Sequence, residues 1–357
     1  MRKPTPTHRL ASLKNHLNYR RCQKLSTKAT ITHRGAIILG KNVACDAFDE
    51  TKPIRIVTHA HADHMIGLQQ SLRTCEKVLL TKATKDLIDV IRGPLFLMGG
   101  FVEKLDYGKT LQIEEEQVTF FKTDHILGAA QVLVEDAEGT RIVYTGDFRM
   151  DGTQVLDADI LVMEATYGSP TCRRSFGKDV KELLVSLVEE GLKHGTVCVF
   201  GYHGKIQEVM QILHESGVKA PFIAPERVFH VSRVCEMHGM RLGRLMLSEE
   251  GEAKELLDGN ASCVAFYHMN SKSKVARSVF RVYVSGWEFD FPCREIADKE
   301  YVIALSDHSD FDGLIEYARR SKPKLVITDN FRIGYADTLA REIRKLFGIS
   351  ALALPKR

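Results

Sequence analysis

Along the first half of the chain, apolar residues come in short unbroken runs separated by polar turns, the pattern of buried strands rather than of amphipathic helices. "GAIILG" and "KNVACDAF" predict two short strands joined by a turn, and "PIRIVTHA" predicts a third that runs out at His59. "TKATKDLIDVI" has helical spacing. "VTFFKTDHILGAAQVLVEDAEGTRIVYTGDF" then predicts a strand, a loop carrying His125, another strand, an acidic turn and a strand ending at Asp147. "ILVMEAT" repeats the arrangement, with Glu164 just past an apolar strand. Strands that give out at His, Asp or Glu suit a site built at a sheet edge.

After "YGSPTCRRS" the texture changes. "FGKDVKELLVSLVEEGLKHG" is a periodic helix stopped by glycine, "TVCVFG" a strand and "KIQEVMQILHESG" another helix. "PFIAP", "ASCVAF" and "VFRVYVSG" are consistent with a second, small α/β lobe. The earlier pattern then returns in "YVIALSDHSD", a helix "DFDGLIEYARRS", a strand "PKLVITDN" and a terminal helix "YADTLAREIRKLF". The second lobe therefore reads as inserted rather than appended. A length of 357 residues accommodates one large core with such a lobe.

Composition narrows the class. With 44% hydrophobic and 27% charged residues the chain reads as globular, and no run approaches the length of a membrane-spanning helix. "MRKPTPTHRLASLKNHL" has no long apolar stretch and no small-residue cleavage pattern, so no secretory signal is expected. The eight cysteines never reach C-x-x-C spacing, which favours a reducing setting, cytoplasmic or, in a eukaryote, nuclear. The net charge of +4 is unevenly spread: no Asp or Glu precedes Asp46, whereas Arg2, Lys3, Arg9, Lys14, Arg20, Arg21, Lys24, Lys28 and Arg34 do. That block could neutralise a polyphosphate backbone, or be a solvated basic end.

The candidate chemistry lies in "HAHADH", which places His59, His61, Asp63 and His64 together. Imidazoles two apart in an extended segment can point into one cleft, and neutral nitrogen donors suit zinc. Asp63 and His64 could face a neighbouring ion, and Asp147 could bridge two ions about 3.5–4 Å apart, the arrangement used in phosphoryl displacement. Packing offers little reason to bury so many polar groups together unpaired. His125 alone could equally be a hydrogen-bonded turn residue. Cys172 and Cys198 read as buried small residues.

"HAHADH" resembles the signature of the metallo-β-lactamase superfamily, and the flanking order is similar throughout: Asp46 in "CDAF", His125 in "DHILGA" and Asp147 in "YTGDF". "EATYGSP" resembles the Glu-x-Thr-Tyr-Gly motif of the β-CASP nucleases, and "LSDHSD", with His308, their cap-associated histidine motif. The likeness runs from about residue 33 to 345 in motif order and is loose in the cap. It implies an αββα sandwich with an inserted α/β cap lobe: a basic extension at 1–31, a core at 32–175 and 290–350, and the β-CASP cap at 176–289. It further implies that His59, His61, His125 and bridging Asp147 hold one ion, while Asp63, His64 and Asp147 contribute to a second. Asp46 would orient a ligand from the outer shell. Two divalent ions are expected, most readily zinc, the second held more weakly and open to magnesium or manganese.

A metal-bound hydroxide would then be the nucleophile, with Asp63 able to accept its proton. His308 would protonate the leaving oxygen, oriented by Glu164. The RNA-processing members carry a further late histidine; this chain has "KPKLVITDNFRIG" instead, closer to the DNA cross-link repair, Artemis-like and ligase-associated exonuclease branch. Asp329 in that segment could ligate the second ion, or face away and leave it weakly held. "SGWEFD" and "YHGKIQEV" also resemble elements of the DNA branch. The expected activity is hydrolysis of DNA, as a 5′-to-3′ exonuclease in repair. A β-CASP ribonuclease is the alternative, and a non-catalytic nucleic-acid-binding protein a third reading. Arg173, Arg174 and Ser309 could bind a terminal phosphate, although the two arginines could equally be a solvated pair. Trp287 could stack on a base or pack against the core.

Overall fold

The computed structural model describes residues 25–93, 101–176 and 179–356. Most of the basic amino-terminal block therefore lies outside the described residues. Among the described residues the strands form three sheets. The first takes β1 (Ala29–Ile31), β2 (Ile37–Leu39), β3 (Val43–Cys45), β4 (Ile54–Ile56), β5 (Lys77–Leu80) and β6 (Val102–Lys104) in chain order. Between its strands lie α1 (Leu68–Thr74) and α2 (Lys82–Arg92). The second sheet begins with β7 (Thr110–Ile113), β8 (Glu116–Lys122), β9 (Ala130–Glu135), β10 (Arg141–Tyr144) and β11 (Ile160–Met163).

The chain then leaves for the third sheet. This contains β12 (Val197–Gly201), β13 (Phe222–Ala224), β14 (Leu245–Leu247), β15 (Val264–His268), β16 (Phe280–Val284), β17 (Cys293–Ala297) and β18 (Glu300–Ile303). Its helices are α3 (Asp179–Leu192), α4 (Lys205–Glu215), α5 (Glu226–Met237) and α6 (Gly251–Asp258). Returning, the chain forms α7 (Phe311–Ser321), adds β19 (Leu325–Asp329) to the second sheet beside β11, crosses through α8 (Ala336–Phe347) and ends in β20 (Ser350–Leu354). No described helix is long and apolar enough to cross a membrane.

Three layers of contact explain the near-continuous apolar strands. The first two sheets pack face to face through Leu39, Val43, Ile56 and Leu79 against Phe120, Val132, Ile142 and Val162. The outer face of the second sheet is covered by Leu314 and Tyr317 of α7 and Leu339 and Ile343 of α8. Val57, Val78 and Leu80 on the other side join a core shared with α2 and with the helices and strands of the third sheet. Strands such as β11 and β19 are buried on both faces, so they carry no polar alternation. The architecture is the αββα sandwich with an inserted α/β cap lobe that the sequence implied.

The boundaries differ in three places. β18 pairs with β16 and β17 with β18, so the cap sheet extends past the expected return at residue 290. β1 falls inside the expected extension at 1–31 but pairs with β2, and Lys28 beside it is tied to Asp136 at 2.5 Å. β20 follows the helix expected to be terminal, because a parallel edge strand needs the α8 crossover to bring it alongside β19.

Candidate metal centre

β10, β11 and β19 are adjacent and parallel, so their carboxyl ends share one edge of the second sheet. Asp147 follows the end of β10, Glu164 follows β11 directly, and Asp329 is the last residue of β19. Across the sandwich, β4 delivers the loop from His59 to His64 to the same edge.

There three imidazoles converge. His61 Nδ1 lies 3.1 Å from both His59 Nε2 and His125 Nε2. Asp147 Oδ2 stands 3.6 Å from His59 Nε2 and 3.8 Å from His125 Nε2. Ligands about 2.0–2.1 Å from a tetrahedral ion are about 3.3 Å apart, so these four donors have the spacing of a cage around one ion. Each ring is also held in the tautomer that leaves its inner nitrogen a free lone pair. His125 Nδ1 donates to the Asp307 carbonyl at 2.8 Å, and His61 Nε2 to the His203 carbonyl at 3.1 Å. His59 Nδ1 donates to Thr58 Oγ1 at 3.1 Å, whose own proton goes to Asp46 Oδ2 at 2.7 Å. Burial keeps all three rings neutral: it pushes His59 well below the ordinary histidine value, lowers His61, and takes His125 down to about 3. The His125 loop is pinned where Gly128 meets α2: its carbonyl accepts from Thr81 and Thr84, and at φ +84° a Cβ would sit 2.6 Å from the Thr84 nitrogen.

Asp46, fully buried and itself at φ 61°, accepts from Thr58 N at 2.8 Å, Thr58 Oγ1, His64 Nδ1 at 2.7 Å and Tyr144 OH at 2.9 Å. It therefore orients His64 directly and His59 through Thr58. His64 Nε2 has no hydrogen-bond partner and lies 3.2 Å from Asp147 Oδ2 and 3.6 Å from Asp63 Oδ2. Burial disfavours charge on His64, but Asp147 and Asp46 more than compensate and lift it to about 10. Asp329 is committed elsewhere. Its Oδ1 accepts from Phe331 N at 2.9 Å and Arg332 N at 3.4 Å, and its Oδ2 pairs with Arg332 Nη1 at 2.6 Å.

On the opposite flank of Asp147, His308 Nδ1 meets Glu164 at 2.9 and 3.1 Å, and His308 Nε2 lies 4.0 Å from Asp147 Oδ2. Glu164 is fixed in turn by the Phe148 N–H at 2.8 Å. Burial opposes charging His308, yet the Glu164 carboxylate outweighs it and raises the ring to about 9. A cleft over this floor is lined by His61, Asp63, Asp147, His308 and Arg332 from the core, and by Tyr202, Lys205 and Trp287 from the cap. Lys205 pairs with Asp307 at 2.9 Å, both buried, and Arg149 clamps Asp124, next to His125, while reaching cap residue Glu208 at 2.6 Å. The cap thus braces the loops that hold the ligands.

No family model matches the chain. An uncharacterized protein in the lig 3′ region of Acidianus ambivalens is 40% identical over 138 residues, 38% of this chain and 99% of that protein. A probable DNA ligase of Opitutus terrae is 24% identical over 84% of this chain and 28% of the ligase. An RNase J-like protein of Methanocaldococcus jannaschii is 27% identical over 54% of this chain and 52% of its own length. The chain thus spans between a quarter and about half of these last two relatives. The chain belongs to the β-CASP family of the metallo-β-lactamase superfamily. A solved structure of a protein of unknown function from Enterococcus faecalis aligns over 87% of this chain and 81% of its own, with TM-score 0.60 and 15% identity, a likeness of fold alone.

Within this β-CASP chain, the structure gathers His59, His61, His125, Asp147, His64, Asp63, Glu164 and His308 around one cleft floor. Three of the four expected substrate contacts fall elsewhere. Arg173 pairs with exposed Asp312, Arg174 lies over the Tyr167 ring and bonds the Gly286 carbonyl, and Ser309 Oγ is turned to the Phe148 carbonyl. Trp287 alone of the four lines the cleft, 46% exposed and edge-on to Tyr167. Sequence reasoning assigned no site role to Lys205, Asp307, Arg149 or Arg332. Lys205, Asp307 and Arg332 sit inside quoted motifs, so proximity to a motif was the available signal; nothing local marked Arg149.

Proposed function

We propose that this chain is a metal-dependent nuclease of the β-CASP type that hydrolyses DNA from a 5′ end. The observation that carries the reading is the pairing, across Asp147, of a three-imidazole cage with a part-buried histidine, His308, held charged by a carboxylate. His59, His61, His125 and Asp147 would hold a divalent ion of zinc type, which supplies an activated water at neutral pH and polarises a phosphoryl oxygen. Asp147 would serve as a ligand, and Asp63, lining the same cleft, would supply a carboxylate able to accept a proton. His308, charged and with Nε2 toward the cleft, is placed to give a proton to the departing 3′ oxygen, while Glu164 holds the ring's other nitrogen. Cap residue Trp287 offers the cleft an exposed aromatic ring, a feature used on single-stranded nucleic acid, while Lys205 in the same cleft is held by Asp307.

Support for DNA is the length of the match to a probable DNA ligase, 84% of this chain against 54% for the RNase J-like protein, together with an aspartate–arginine pair in place of a late histidine. Matches to endoribonucleases, including one of Yarrowia lipolytica at 25% identity over 54% of this chain, favour the ribonuclease as the second reading. One sequence prepared as DNA and as RNA, each with a 5′ phosphate, a 5′ hydroxyl or as a closed circle, separates them. Faster loss of 5′-phosphorylated linear DNA is expected. Faster loss of the RNA would instead establish the second reading, and equal cutting of circles would remove the end requirement.

A further inference from the structure

Two buried nitrogens flank the Asp63 carboxylate: His64 Nε2, which also faces Asp147 Oδ2 at 3.2 Å, lies 3.6 Å from Oδ2, and Arg332 Nε, which has no hydrogen-bond partner, lies 4.0 Å from it. The Arg332 side chain is only 8% exposed. Its Nη1 is bound to Asp329 at 2.6 Å and its Nη2 to the Asp63 carbonyl at 3.0 Å. These two bonds hold the guanidinium at the cleft that Arg332 and Asp63 both line, with its Nε buried and without a hydrogen-bond partner.

This is the side of the site where a second ion would have to sit, and the donors there do not suit one. Both Asp329 oxygens are engaged by Arg332 or its neighbour, and the pairing with the Arg332 cation neutralises the carboxylate that a second ion would need. Asp63 is 58% exposed and faces a permanent cation. Among the described residues, the groups of three or more side chains whose donor atoms converge as for an ion include Asp147 but none of Asp63, His64 or Asp329. A divalent ion between Asp63 and His64 would lie a few ångströms from a guanidinium that cannot be deprotonated and is held in place.

We propose, building on the nuclease reading above, that Arg332 takes the place of the second metal ion. The chain holds one ion in the His59, His61, His125 and Asp147 cage, and the Arg332 guanidinium at the cleft wall binds a non-bridging oxygen of the scissile phosphate. Asp329 is then a positioning residue that holds the guanidinium, not a ligand. An arginine suits this role because its charge is independent of pH and its planar fork matches phosphate oxygens.

The test is a metal count joined to kinetics. Protein stripped with chelator is titrated calorimetrically with zinc and with manganese, and the bound ions are counted by native mass spectrometry, for the unaltered chain, Arg332→Lys and Arg332→Gln. One ion is expected for the unaltered chain and for the lysine variant, which keeps the charge. The glutamine variant should take up a second ion as manganese is raised. Its kcat/KM on phosphodiester substrate should fall roughly 100-fold, the usual loss when one electrostatic donor is removed, and should partly recover with that second ion. Two ions in the unaltered protein would overturn the assignment, as would a glutamine variant matching the lysine variant in both count and rate. No ion at all in the unaltered protein would overturn the nuclease reading along with it, so the two failures are told apart.

Discussion

The two sides of Asp147 are built from the same residue types and arrive at different chemistry. Toward the cap, His59, His61 and His125 each give their outer nitrogen to a neutral acceptor, a carbonyl or a hydroxyl, and remain neutral with inner lone pairs about 3.1 Å apart. Toward β19, His64 gives its outer nitrogen to the carboxylate of Asp46, and a second carboxylate, Asp329, is matched by Arg332. A histidine's role is thus set less by its place in "HAHADH" than by the charge of the group behind it. A neutral partner leaves the ring neutral; an anionic partner raises its basicity, which favours the charged ring where no ion is bound and strengthens it as a donor where one is.

The most damaging substitutions should separate these sides. His125→Ala removes a wall of the cage and should abolish retention of the tight ion and lower cleavage roughly 10⁴-fold, about 5 kcal/mol in the barrier. His64→Ala should keep that ion through dialysis. Metal analysis of the two variants side by side decides the matter, and equal loss from both would erase the distinction.

Next in size is the charged histidine on the far flank. His308→Ala should retain the ion and lose roughly 10²–10³-fold in rate. The pH profile carries the cause. A ring raised to about 9 keeps its proton below that pH and loses it above, so the alkaline limb should lie near 9 rather than 6.5. Glu164→Gln, by removing the main source of that rise, should move the limb down by about one to two units. An unmoved limb would mean that His308 does not set it.

Asp46→Asn touches both sides at once, His64 directly and His59 through Thr58. Metal affinity should fall about 10- to 100-fold while the stoichiometry of the cage is kept, as read by competition with a chromogenic chelator. The smallest expected effect lies away from both sides. Trp287→Ala should leave the metal count and the melting temperature unaltered and raise KM for single-stranded substrate about fivefold, the low end of one base-stacking contact. An unchanged KM would show Trp287 to be only an edge partner of Tyr167.

Much of this molecule was legible before its structure. Runs such as "ILVMEAT" and "KLVITDN" read as strands because two-sided burial leaves no polar position within them, and the sheet ends duly carry Glu164 and Asp329. The two-residue spacing of His59 and His61 is local, and so was the expectation that they face one cleft. Fidelity faded where pairing is remote. β18 joins the cap because β16 offers it an edge, with β17 added beyond it, and β20 is a strand because α8 lays it against β19; neither the β16 nor the β19 edge is visible in a window of ten residues. The same holds for the site. His125 takes its tautomer from a carbonyl 182 positions away, and Arg332 reaches a carbonyl 269 positions away. Local sequence decided which donors exist and roughly which edge they occupy. The tertiary structure decided which of them stay neutral, which become charged and which are used up on each other, because those outcomes depend on burial and on the charge of neighbours that chain order does not reveal.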